Sequence, residues 1–146
     1  MKKFFALLPF IFLLANLILV MVSYQSLPDI IPSHFNFKGE VDGYGEKSTI
    51  IIPLMIHIGM TILLFWIGNH PEKHNYSVTI TEENQSAQYA LSSRLMRNLN
   101  TIIGMIFTTI SYSIAHPTFP KFFVLMELVL IFGVIILHFY QSSAKK

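Results

Sequence analysis

"LNTIIGMIFTTISYSIA", Leu99 to Ala115, is the stretch on which the architecture turns. It is apolar enough to enter a bilayer, yet Thr101, Thr108, Thr109, Ser111 and Ser113 thin its hydrophobicity. Read as a span, it is the third of four. The others are Phe4 to Tyr24, Thr49 to Ile67 and Phe119 to Tyr140. A bilayer core needs roughly 17–25 apolar residues as helix, and all four runs fit. Composition agrees: of 146 residues, 53% are hydrophobic and only 12% charged. Soluble domains carry about 25% charged residues, so the missing charge points to lipid rather than to a larger core.

The expected fold class is therefore an all-α membrane protein. It is a four-transmembrane-helix bundle with an ordered extracellular loop and a cytoplasmic strand plus extended third helix. One integral membrane domain covers 1–146, with spans 4–24, 49–67, 99–115 and 119–140, an outer loop 25–48 and a cytoplasmic segment 68–98. Lys2 and Lys3 precede the first run as they would in a signal peptide. Its apolar stretch exceeds the usual run of about 7–15 residues, and three more spans follow, so it reads as a retained helix.

Basic residues set the orientation. With the N-terminus inside, Lys2, Lys3, Lys73, Arg94, Arg97, Lys145 and Lys146 are cytoplasmic, while Lys38, Lys47 and Lys121 face out. Both termini are thus expected in the cytoplasm. A net charge of +2 is too small to argue for nucleic acid. The chain has no cysteine, which removes disulfides and thiolate metal chemistry.

The third helix is expected to start well before the membrane. In "TITEENQSAQYALSSRLMRNLN", Thr79 stands three residues before Glu82, and Thr81 directly precedes two acids. Both fit an N-cap with acids in the first turn. A helix from Glu82 to Ala115 would be about 51 Å long at about 1.5 Å per residue. Just before it, "NYSVTIT" alternates, with Tyr76, Val78 and Ile80 on one face, and predicts a short strand.

Four polar residues fall at one level of the outer half. Counting from the outer boundary, Asn16 lies about 12 Å down the first helix, His57 about 13 Å down the second, and Thr108 and Glu127 about 10 Å down the third and fourth. A carboxylate there faces the bundle interior or a wet cavity and needs a partner, for which His57 is the candidate. The layer is either a ligand or proton site, or interhelical hydrogen bonding that holds the bundle together.

The outer loop, "LPDIIPSHFNFKGEVDGYG", is too composed for a plain connection. Pro28 and Pro32 hold the preceding residues extended, and Asp42-Gly43 is a strong turn pair. Phe35, Phe37, Val41 and Tyr44 are too apolar for a freely solvated loop, so a folded cap over the polar layer is expected. His34, Asp29, Glu40 and Asp42 lack the spacing of a zinc or EF-hand site. His34 and Asn36 are expected to satisfy loop backbone instead.

That loop closely resembles the signature of the bacterial domain-of-unknown-function 1648 family, roughly L-P-x-x-I-P-x-H-F-[ND]-x-x-G-x-x-D-x-[WYF]-x-x-K. The matches are Leu27, Pro28, Ile31, Pro32, His34, Phe35, Asn36, Gly39, Asp42, Tyr44 and Lys47. "HNYSVTITEENQSAQY" looks like a second block of many members, carried by Asn75, Tyr76, Thr81, Glu83, Asn84, Gln88 and Tyr89, with Ser77 where proline is common. The same domain occurs in proteins similar to SdpI, the immunity protein against a sporulation-delaying peptide toxin. The resemblance implies a multispan protein of the bacterial cell membrane, in some members conferring toxin immunity and relaying a signal to a repressor. It supplies no catalytic residues.

The expectation is a non-enzymatic binding, immunity or signal-relay protein with no cofactor. Asn16, His57, Thr108 and Glu127 are its candidate ligand site. Its partners would be membrane lipid, a peptide toxin or antibiotic, a cytoplasmic repressor and further copies of itself. The alternative is a transport-associated protein in which Glu127 and His57 handle protons or ligand. An intramembrane enzyme would need a nucleophile–base pair or metal motif, and the sequence has neither.

Overall fold

The structure is a computed structural model and describes residues 2–36, 38, 40–120 and 122–145. Helix α1 spans Lys2–Tyr24, and strands β1 (Ile30–Phe35) and β2 (Val41–Glu46) follow. A 3-10 turn, Lys47–Ile50, runs straight into helix α2, Ile51–Gly68. A second 3-10 turn, Pro71–Lys73, precedes helices α3 (Gln85–Ala115) and α4 (Phe122–Ser143). Among the described residues, three stretches are long and apolar enough to cross a membrane: Phe5–Tyr24, Lys47–Gly68 and Phe122–Ser143. By length and composition this is a multi-pass membrane protein. The 31-residue α3 is not among those stretches.

Its position explains how so polar a helix is accommodated. Helix α3 packs against α1, α2 and α4, whereas α4 rests on α3 rather than on α1 or α2. The three apolar helices turn Val22, Ile62, Val129, Phe132 and Ile136 outward. Asn16, His57, Gln88, Asn100, Ser111 and Glu127 are buried. Against water this arrangement would be inside out. Against lipid it is the expected sorting, because apolar side chains gain nothing by packing inward while polar groups need partners inside.

A small apolar cluster closes one end of the bundle. Val20, Leu27, Ile31, Ile50, Leu54 and Ile114 meet there, drawn from α1, β1, α2, α3 and the connections between them. Ile31 and Ile50 are fully buried. They seat the outer loop on the helices.

The loop itself is an antiparallel β-hairpin, so the fold is not all-α. The strongest turn signal, Asp42-Gly43, does not make the turn. It lies within β2, with Gly43 opposite His34. Asn36 organises the reversal instead. Its Oδ1 accepts from the backbone N–H of Lys38 at 2.9 Å and of Glu40 at 3.0 Å, and its own N–H reaches the Glu40 carbonyl at 2.9 Å. An asparagine side chain that mimics backbone in this way offers a turn without a glycine pair. The ladder shifts register twice, once around Ser33 on β1 and once around Asp42 on β2, and the two irregularities compensate. Phe37 and Gly39 lie outside the described residues.

The strand expected at Tyr76–Ile80 is absent; residues 75–81 run as irregular chain. Their alternating burial is real, since Tyr76, Val78 and Ile80 are half-buried between exposed neighbours. The pattern arises from lying along α3, with no second strand to pair. Tyr76 stacks on Tyr89 with ring centroids 5.7 Å apart and donates its hydroxyl to the Pro71 carbonyl at 2.7 Å. His74 bridges the Ile67 carbonyl at the end of α2, 2.8 Å away, and the Ser92 hydroxyl of α3.

Helix α3 begins at Gln85, three residues later than expected, because Asn84 intervenes. Its Oδ1 accepts the Thr81 N–H at 2.9 Å, its amide donates to the Thr79 carbonyl at 2.9 Å, and its N–H reaches the Thr81 hydroxyl at 3.3 Å. Those bonds hold 81–84 as a turn, so Glu82 and Glu83 precede the helix rather than filling its first turn.

Burial within this segment, first, and the nearby Tyr89 and Glu72 push the Tyr76 hydroxyl above its ordinary pKa, against a hydrogen bond with Ser92 that lowers it. Because the folded value is the higher one, the neutral form's contribution to stability is complete below about pH 10 and is lost as pH rises through the folded value. In an alkaline ultraviolet titration Tyr76 is expected to ionise above the ordinary tyrosine value, and Tyr76→Phe to diminish the late part of the curve. A late part of undiminished size in Tyr76→Phe would contradict the half-buried placement.

Candidate functional site

The four residues of the expected polar layer divide into two groups on different faces of α3. Asn16 and His57 form one. The Asn16 amide meets His57 Nδ1 at 3.0 Å, and both side chains are fully excluded from solvent. With the amide donating, the ring proton sits on Nε2, which has no hydrogen-bond partner. The His57 ring stacks on Phe107 of α3, with centroids 5.6 Å apart. Thr108 sits beside this pair, its hydroxyl 2.8 Å from the Gly104 carbonyl and 3.3 Å from the Phe12 carbonyl of α1.

Glu127 forms the other group, and its partner is not His57. Thr109 donates to its Oε1 at 2.8 Å, while Oε2 has no partner. One residue along a helix is a rotation of about 100°. Thr108 therefore turns toward α1 while Thr109 turns toward α4, and α3 stands between the histidine and the acid.

The sequence reading missed the rest of the buried polar set. Asn100 donates to the Thr61 carbonyl at 3.1 Å, and its Oδ1 is unpartnered, as are the hydroxyls of Thr61, Ser111 and Ser113. At the far end of the bundle Gln88 holds the C-terminus of α4. Its amide donates to the carbonyls of Ser142 at 2.9 Å and Lys145 at 3.0 Å, and its Oε1 accepts from the Ser142 hydroxyl at 2.7 Å. Helix C-termini leave carbonyls without intrahelical partners, and here a glutamine from another helix supplies them. The signal was present: Asn100 and Gln88 are polar residues twelve apart on a helix with few charges.

A cavity of about 630 Å³ lies beneath the hairpin. Its walls come from Ile52, Pro53 and Ile56 of α2, Ile110 and Ile114 of α3, and Phe122, Val124 and Leu125 of α4. Ser33, His34, Phe35, Asn36 and Lys38 of the hairpin line the other side, and Ser113 contributes its unpartnered hydroxyl. The volume lies within the range of about 300–1,000 Å³ typical of small-molecule sites, and an apolar wall with a few polar groups is their usual lining. None of Asn16, His57, Thr108 and Glu127 lines it.

The outer-loop motif builds the roof of this cavity. His34 pairs with Asp42 at 2.5 Å across the hairpin rather than with backbone. Gly43 gives that pair room, since a Cβ there would meet the His34 Cβ at 3.0 Å and push it aside. Lys47 closes the base, its Nζ 3.3 Å from the Asp29 carboxylate and its N–H 2.9 Å from the Asp29 carbonyl. Leu27 is buried in the apolar cluster, Pro32 is buried, and Phe35 packs against the cluster. Pro28 and Tyr44 are exposed, and Gly39 lies outside the described residues. Of the second block, Tyr76, Thr81, Asn84, Gln88 and Tyr89 make the contacts that dock 69–84 on α3 and cap α4. Asn75 and Glu83 are exposed.

Close approach at one glycine sets the spacing of the whole layer. A Cβ on Gly104 would lie 3.1 Å from His57 Nε2 and 3.1 Å from the Phe12 Cβ, whereas one on Gly59 would meet nothing within 4 Å. Overpacking a tight contact costs about 1–3 kcal/mol. Gly104→Val is expected to lower the thermal unfolding midpoint in detergent by several degrees, and Gly59→Val to leave it near wild type. Equal midpoints for the two variants would show that α3 does not approach α1 and α2 this closely.

Neither a curated protein nor a solved structure matches the chain. A family model does, over residues 5–57, and that segment takes in most of α1, the hairpin, and α2 as far as His57. The part of the chain that roofs the cavity and supplies the Asn16–His57 pair is the part that is similar to a domain of unknown function, DUF1648.

Proposed function

We propose that this is a non-enzymatic membrane protein that binds a hydrophobic or amphipathic molecule beneath its hairpin and relays occupancy along α3. The observation that carries the reading is the cavity of about 630 Å³, apolar on its helical walls and polar at the hairpin. An amphipathic peptide, an antibiotic or a lipid matches that lining, with its apolar body among Ile52, Ile56, Ile110 and Ile114 and its polar end at Ser33, His34 and Lys38.

In this reading α3 is the fourth span. Its polar side chains tolerate the bilayer because three apolar helices surround it. The termini lie in the cytoplasm, as the basic residues argue, and the hairpin faces out. Relay follows from one helix serving both ends. The same α3 that lines the cavity with Ile110, Ser113 and Ile114 carries Gln88, which caps α4, and Ser92, which holds His74. A ligand that moves α3 alters those contacts, and a cytoplasmic repressor is the class of partner that would read them. An immunity role of the SdpI-like kind, and self-association, belong to the same proposal.

Transport of protons through Glu127 and His57 is the second reading, supported by the unpartnered Oε2 and Nε2 of those residues. It is the weaker one, because Thr109 and Asn16, not each other, are their partners.

Filling the cavity separates the two. A fluorescent acyl probe titrated into purified protein is expected to bind the wild type, and Ser113→Trp and Val124→Phe to weaken binding at least tenfold. Leu130→Trp, placed on an exposed face of α4, is expected to bind as the wild type does. Unchanged affinity in both filled variants would remove the binding reading. Glu127-dependent proton movement in vesicles would put transport in its place.

A further inference from the structure

The end of the bundle opposite the hairpin holds a second cleft, and it has the composition of an anion site rather than of a packing defect. It encloses about 360 Å³ between α1, α2 and α3, and shares no residue with the hairpin cavity. Exposed Phe10 of α1 and Phe65 of α2, with half-buried Leu64 between the helices, form an apolar crease. At the back of the crease are Arg97 and Asn100 of α3.

Each carries a side-chain polar group left without a partner among the described residues. The ion pairs among the described residues, His34–Asp42 and Lys47–Asp29, are both in the hairpin, and Arg97 takes part in neither. Arg97 is half-buried and shares the cleft with apolar side chains, where a cation is costly unless something neutralises it. Asn100 is 2% exposed; its amide is spent on Thr61, and its Oδ1 is left without a donor. A ligand that fits must bring an anion to Arg97, a hydrogen-bond donor to Asn100 and an apolar body to the crease.

We propose that this cleft binds an anionic phospholipid with a hydroxyl-bearing headgroup, such as one with a phosphoglycerol head. The phosphate takes the forked donors of Arg97, a geometry that guanidinium matches with two parallel bonds. A headgroup hydroxyl donates to Asn100 Oδ1. The acyl chain lies along Phe10 and Phe65, whose rings meet edge to face with centroids 5.3 Å apart. Charge complementarity supports this occupant: Arg97 lines the cleft, and a second cation, Lys73, lies over the ring of Trp66 next to Phe65. Basic pockets between membrane helices hold lipid headgroups by the same chemistry. The site does not depend on what the hairpin cavity binds.

The single tryptophan, Trp66, neighbours the crease and reports on it directly. Purified protein in phosphatidylcholine nanodiscs would receive increasing fractions of brominated phosphatidylglycerol or, in parallel, brominated phosphatidylcholine. Quenching of Trp66 is expected to saturate at a severalfold lower fraction of the glycerol lipid. Arg97→Gln is expected to abolish that preference, and Arg97→Lys to keep part of it. Lys73→Gln, which removes the cation 4.9 Å from the Trp66 ring, is expected to retain most of it. Equal quenching by the two lipids in the wild type overturns the proposal without any variant having to fold. So does a preference that Lys73→Gln removes and Arg97→Gln leaves, which would mean surface attraction alone. Inorganic phosphate at millimolar concentration is expected not to compete; full competition would make this a free-anion site and defeat the lipid assignment.

Discussion

Enclosure of α3 is the constraint on which the other features rest. Nearly every polar side chain that the bundle buries either belongs to this helix or faces it. A helix carrying Gln88, Ser92, Asn100, Ser111 and Ser113 buried cannot present those groups to hydrocarbon. Its neighbours must therefore surround it, and a missing side chain lets them approach closely at Gly104 beside His57 and at Gly68 beside Met96. Small residues let backbones converge, and convergence brings hydrogen-bonding groups within reach of one another. Thr108–Phe12, Asn100–Thr61 and Thr109–Glu127 are the result, one contact from α3 to each surrounding helix or its backbone.

The hairpin is the complement of that arrangement. It is small, and two strands alone would be marginal in water. Its stability comes from elsewhere: Ile31 in the apolar cluster, the Lys47–Asp29 pair at its base, and Asn36 standing in for backbone at its tip. The paired irregularities around Ser33 and Asp42 aim His34 at a carboxylate and leave Phe35 against the helices. A flat ladder would have put those residues on the wrong faces.

Much of this was legible in the sequence, and the failures have common causes. The apolar runs, the ordered outer loop and the long third helix follow from hydropathy and the absence of breakers. Depth along a helix was also readable, and it placed Asn16 and His57 at one level, where they meet. Azimuth was not. Level alone could not distinguish Thr108, turned to α1, from Thr109, turned to Glu127, because that depends on how each helix is rotated. Local propensity failed where a side chain did the work of backbone. Asn36 displaced the turn from Asp42-Gly43, and Asn84 displaced the start of α3 from Glu82. The alternation at Tyr76–Ile80 was a true burial pattern with the wrong cause, since a chain laid on a helix can alternate without a strand beside it. Arg97 and Asn100 drew no attention as a pair because the crease they share is made by α1 and α2.

One detail of the packing bears on how any occupant would arrive. Helices α2 and α4 both rest on α3 but hardly touch each other among the described residues, and the hairpin cavity lies along the gap between them. Its entrance is thus a sideways slot as well as a mouth. A molecule entering there dissolves first in the hydrocarbon and searches in two dimensions. Apparent affinities would then scale with the amount of lipid present, and two compounds with identical contacts would be ranked by their partition coefficients.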